Sequence, residues 1–242
     1  VTFASGSLLE SIGSEAFQQS GLTSIAIPAS VTSIGDQAFY GISSLASVTF
    51  ASGSRLQSLG SGAFSNTGVN QCLIVPDAST GNVLVPASMM TIPPVAFLGC
   101  TTLRTVTFAS ASQLSKIWDY AFSGSGLTSI AIPASVTSIG SSAFQSASSL
   151  ASATFATGSQ LQSIGSNSFQ PSGLTSIAIP ASVTSIGGHA FFRISSLYRV
   201  TFASGSLLQS IGNNAFQSTG LTSIAIPASV TSIGSQAFAN CA

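Results

Sequence analysis

Apolar positions recur along the chain as L-x-x-I-x-I-P-x-x-V-x-x-I-G-x-x-A-F, in Leu22, Ile25, Ile27, Pro28, Val31, Ile34, Gly35, Ala38 and Phe39. The stretch 22–39 returns nearly unchanged as 127–144, 174–191 and 221–238, and a second version, seen in 45–64, alternates with it. Ile25 and Ile27 are separated by Ala26 and preceded by Ser24, a period of two that predicts a short strand with isoleucines inward and small residues outward. Pro28 has no N–H for a ladder and ends the strand. Val31 and Ile34 repeat the inward spacing, Gly35 permits a turn, and Ala38-Phe39 returns the chain across the core. One such unit cannot bury its own apolar face, but neighbours stacked about 4.8 Å apart can.

The period sets the architecture. The phenylalanines that follow Ala or Ser are Phe17, Phe39, Phe64, Phe97, Phe122, Phe144, Phe169, Phe191, Phe216 and Phe238, in alternating steps of 22 and 25 residues. The one exception, 33 residues from Phe64 to Phe97, marks 11 extra residues. Strand centres fall at Phe3, Ile27, Phe50, Phe108, Ile132, Phe155, Ile179, Phe202 and Ile226. The pattern predicts a mainly β repeat solenoid of about ten rungs of 23–24 residues, alternating in a 47-residue two-rung unit. Of 16 phenylalanines, only Phe192 lacks a place in one of the two columns, so a stacked, inward phenylalanine column is expected. Each fully buried ring contributes about 1.5–3 kcal/mol.

These residues resemble the BspA-like class of leucine-rich repeats, and the resemblance covers essentially the whole chain. It implies a leucine-rich-repeat array with a parallel sheet on the concave side. It further implies surface or secreted proteins of bacteria and protists that act in adhesion and protein binding. Members often carry Cys three residues after the Phe; here Cys100 and Cys241 do, while Ile42, Ala147 and Ile194 hold the matching positions.

Composition narrows the partners. Charged residues are 4% of the chain, against about 25% in a typical soluble domain. A net charge of +0 gives no footing for nucleic acid or an anionic surface. The mean hydropathy is +0.55, yet no apolar stretch approaches the roughly 18 residues of a spanning helix. Ser and Thr punctuate every rung, so the predicted surface is neutral and rich in hydroxyls. Such a surface favours association, and no Asn-x-Ser/Thr acceptor is present to add sugars.

Three cysteines are an odd number. Cys100 and Cys241 read as small buried apolar side chains, and Cys72 as a strand-centre residue at the start of the insertion; no disulfide or metal role is expected for any of them. The insertion, near 72–82, reads as a protruding loop containing Asp77. Pro93-Pro94 stands where other rungs keep Ile-Gly turn residues. The chain begins in mid-strand and ends just after an Ala-Phe pair without polar caps, so residues 1–242 read as one solenoid from a longer protein.

Departures from the repeat are the candidate contact residues. Trp118, Asp119 and Tyr120 replace Gly-Ser-x, and His189, Phe192, Arg193, Tyr198 and Arg199 gather within two rungs. Tyr40, Leu98 and Phe192 each follow a column phenylalanine and could form a sparse apolar row. Mixtures of Trp, Tyr and Arg are favoured at contact surfaces. Catalysis finds no footing, because the single His and five acids form no pair at informative spacing. No cofactor or metal site is expected. The expected function is therefore non-enzymatic: an extracellular or cell-surface module binding protein or glycan. The alternative is a structural subunit of a filament or surface layer, contacting copies of itself. Ice binding is a weaker third reading, since the Thr columns are mixed with Ser, Ala and Gln.

Overall fold

The computed structural model describes residues 1–4, 6–51, 55–56, 58–60, 63–64, 66–68, 72, 76–87 and 89–242. Among them every strand pairing is parallel and joins one rung to the next. Each rung has three sides. A wide side carries four-residue strands such as Ser24–Ile27, Ser129–Ile132 and Arg199–Phe202, with the inward–outward alternation read from the sequence. A narrow side carries two-residue strands such as Ser33–Ile34 and Ser185–Ile186. The third side is the turn around Ala-Phe, where eight of the Phe N–H groups donate to the next rung, as from Phe17 to Ala38 O at 2.7 Å and Phe191 to Ala215 O at 2.8 Å. No helix occurs among the described residues.

The phenylalanines of the turn side stack face to face, with centroids between 4.9 and 5.3 Å apart. The column is not continuous. Among the described residues Phe17, Phe39 and Phe64 form one stack and Phe97 through Phe238 another, and the buried core falls into two clusters, Val95 joining the first. The narrow ladder divides there too, between Ser58–Leu59 and Thr91–Ile92. Proline supplies one reason. In other rungs the residue after the inward Ile donates to the rung below, as Gly35 N does to Ile12 O at 2.8 Å. Ile92 keeps its inward place, so Pro93 and Pro94 replace the glycine and its successor rather than Ile-Gly, and Pro93 has no hydrogen to donate.

The wide side is built in pairs of rungs. Ser24–Ile27 pairs over all four residues with Ser47–Phe50, and Ser129–Ile132 with Ser152–Phe155. The opposite step, from Thr105–Phe108 to Ser129–Ile132, pairs over two residues only. Ala51 N, Ala156 N and Ala203 N each extend the pairing by donating to the Ile carbonyl below. Pro133 and Pro180 hold that position in the alternate rungs and cannot. From Ser152–Phe155 to Ser176–Ile179 no ladder pairing forms, and at the last rung residues 222–227 form no strand, leaving Ile226, read above as a strand centre, 37% exposed. Phe3 likewise lies outside any strand, with no rung described below it.

Rungs approach closely at the glycine column. A Cβ on Gly165 would lie 2.5 Å from the carbonyl carbon of Gly140, and one on Gly35 2.4 Å from Ser14 N. Gly165→Ala is therefore expected to destabilise the array by about 1–3 kcal/mol in urea titration. The reverse sign is expected at Ser168, which occupies an Ala slot with its hydroxyl buried and unpartnered. Ser168→Ala should raise stability by about 1 kcal/mol.

Other hydroxyls hold the corners. Ser30 Oγ donates to Ser7 O and Leu9 O at 2.8 Å, and Ser135 Oγ and Ser182 Oγ make corresponding bonds. On the narrow side Thr32, Thr137, Thr184 and Thr231 donate to the rung below. These Thr hydroxyls are turned onto backbone carbonyls, an arrangement that gives the ice-binding reading little support.

Candidate contact surfaces

The departures from the repeat fall on different sides. Trp118 takes the glycine slot of its rung, and its N–H reaches Ile92 O at 3.0 Å where Gly140 reaches Ile117 O at 2.8 Å. Lys116, a residue the sequence reading passed over, places its Nζ 3.1 Å from the centre of the Trp118 ring. A Lys in a column otherwise filled by Ser and Thr was the available signal. Burial pushes the Lys116 ammonium below its ordinary pKa, and the nearby Asp119 carboxylate opposes that shift. Asp119 Oδ1 also accepts the Ser141 N–H at 2.8 Å. Tyr120 is partly buried against the first core cluster. Lys116 and Trp118 thus pack within one rung, and Asp119 ties that rung to the next.

His189, Phe192 and Arg193 do meet. The His189 and Phe192 rings pack edge to face at 5.1 Å, and the Arg193 guanidinium lies 5.0 Å from the Phe192 ring. All three belong to the turn side. Tyr198 and Arg199 sit instead on the wide side, at the start of Arg199–Phe202, where Tyr198 is 63% exposed. The sequence brought these five residues together; the rung separates them onto two faces. Tyr40, Leu98 and Phe192 are all partly buried, on rungs that are not adjacent.

Asp77 belongs to a closed turn. Its Oδ1 accepts from Ser79 N and Oγ at 3.1 and 2.6 Å, and from Thr80 N and Oγ1 at 2.8 Å each. Those bonds lower its pKa from 3.8 to about 2. Their contribution is complete above about pH 3.8 and is lost as the pH falls through about 2. Residues 73–75 of the insertion, and 69–71 just before it, lie outside the described residues. Cys72 overturns the reading of the cysteines as inert: it forms a disulfide with Cys100, their Cα atoms 5.1 Å apart. The repeat period could not show this, because Cys72 lies within the extra residues, where the period sets no partner. Cys241 is free. Beside the disulfide, Asp77, Thr80, Thr102 and Arg104 line a groove of about 470 Å³.

Among the described residues no group of three or more His, Cys, Asp or Glu could hold a metal ion. Among the same residues no helix is long and apolar enough to cross a membrane.

The family model described as the BspA type leucine rich repeat region matches residues 10–81, 77–191 and 115–242, in six copies. The chain belongs to that family. The BspA-type array is similar to a leucine-rich repeat protein from Bacteroides ovatus, at 27% identity and a TM-score of 0.55 over 95% of this chain. It covers 50% of that protein, so it spans about half its length. A second likeness, to the pneumococcal vaccine antigen PcpA, has 21% identity and a TM-score of 0.50, covers 96% of this chain and 65% of that one, and bears on the fold alone. No curated protein matches the chain.

Proposed function

We propose that this BspA-type array is a non-enzymatic protein-binding module displayed outside the cell. The wide side carries the reading. Its outward positions are small along most of the array, Ser24, Ala26, Ser129, Ala131, Ser176 and Ala178 among them, so a partner can lie flat on it. Against that background Tyr198 and Arg199 project from one rung as an aromatic and cationic anchor pair, the residue types that dominate binding energy at contact surfaces. The Cys72–Cys100 disulfide supports an oxidising, extracellular setting. A panel of immobilised extracellular proteins and glycans, read by interferometry, tests this. The expected result is binding to at least one protein that Tyr198→Ala with Arg199→Ala weakens at least tenfold. Binding that is indifferent to the double change, or a response to glycans alone, would overturn the assignment to this face.

A further inference from the structure

Charge is unevenly distributed along the array. Residues 1–119 hold five acids against three bases, a net of −2, while residues 120–242 hold Arg193 and Arg199 and no acid, a net of +2. The two ends of this gradient meet on the turn side. Glu15 lies two residues before Phe17, in the first rung of the phenylalanine column. His189 and Arg193 flank Phe191, in the eighth. Glu15 and Arg193 are both exposed, and neither has a partner of opposite charge among the described residues. The midpoint between the first and eighth rungs falls between the fourth and fifth, those of Phe97 and Phe122. There the turn side presents Leu98 and Tyr120, both partly buried.

We propose that the turn side is an interface with a second copy of this chain, the two arrays lying antiparallel about a two-fold axis between the Phe97 and Phe122 rungs. The rotation sets Glu15 of each copy opposite His189 and Arg193 of the other, counted in rungs from the axis. It also sets Leu98 against Tyr120 twice at the centre. An isologous contact requires a surface complementary to itself, and an acidic end, an apolar middle and a basic end meet that requirement. Opposite charges at the two rims steer and orient the encounter, and zero net charge leaves no overall repulsion to overcome. The side used is not the wide side assigned above to a partner protein, so either reading can fail without the other.

Sedimentation velocity of the whole chain at low and high salt tests this. The expected result is a dimer that weakens as salt rises. Glu15→Arg and Arg193→Glu should each raise the dissociation constant about tenfold, a change of about 1.4 kcal/mol. The chain carrying both reversals should regain the wild-type constant, because each rim pair is restored with its signs exchanged. Thermal melts confirm that the variants fold, and Glu15→Gln with Arg193→Gln gives a milder second pair. A wild-type monomer at low salt, a dimer untouched by single reversals, or no rescue by the double reversal would each overturn the interface.

Discussion

Phe144→Ala is expected to cost about 3–5 kcal/mol in chemical denaturation. The ring is wholly buried between Phe122 at 5.1 Å and Phe169 at 5.0 Å, so truncation opens a cavity walled by two rings that cannot close on each other. The backbone resists collapse as well, since Phe144 N donates to Ser168 O at 2.6 Å and Phe122 N to Ala143 O at 2.7 Å. The same change at Phe238, a partly buried ring with one stacked neighbour, should cost less than half as much. Equal losses at the two sites, or a loss below about 1 kcal/mol at Phe144, would show that the stack contributes little beyond its local contacts.

Breaking the Cys72–Cys100 disulfide should cost about 3–4 kcal/mol on the chain-entropy account, for cysteines 28 residues apart. Cys100 belongs to the second core cluster and Cys72 packs against it, so the bond ties the insertion to that block. Thiol titration of the unreduced chain in denaturant is expected to find one group, Cys241, and reduction to reveal two more. Cys72→Ser with Cys100→Ser should then lower the denaturation midpoint by a corresponding amount. Unchanged stability would count against the cross-link.

Most of the fold was legible because repetition multiplies weak signals. One Ile-x-Ile says little, but the same spacing returning every 47 residues dictates which side chains must face inward. What escaped were effects that depend on the neighbouring rung, on side-chain contacts, on corners and on the extra residues. Pro28 reads as the end of a strand; only stacking shows that Pro133 and Pro180 also withhold a donor from the strand below. Lys116 is one charge in a Ser and Thr column until Trp118 appears beneath it. His189 and Tyr198 are nine residues apart in sequence, yet the corner between them turns one outward on the turn side and the other on the wide side. Cys72 lies in the extra residues, where periodicity offers no partner.

The alternation of proline and alanine after successive wide-side strands has a mechanical meaning. From Phe97 onward, the narrow ladder runs unbroken from Thr91–Ile92 to Ser232–Ile233, and the rings stack without a gap. Every second step on the wide side lacks a bond that its neighbours have. Two sides of the prism are therefore stiff and the third is slotted, like a saw-cut beam. Bending that spreads the slots is cheap, while bending that stretches the other two sides is not. The wide side can therefore open or flatten in increments of one rung pair without disturbing the core behind it.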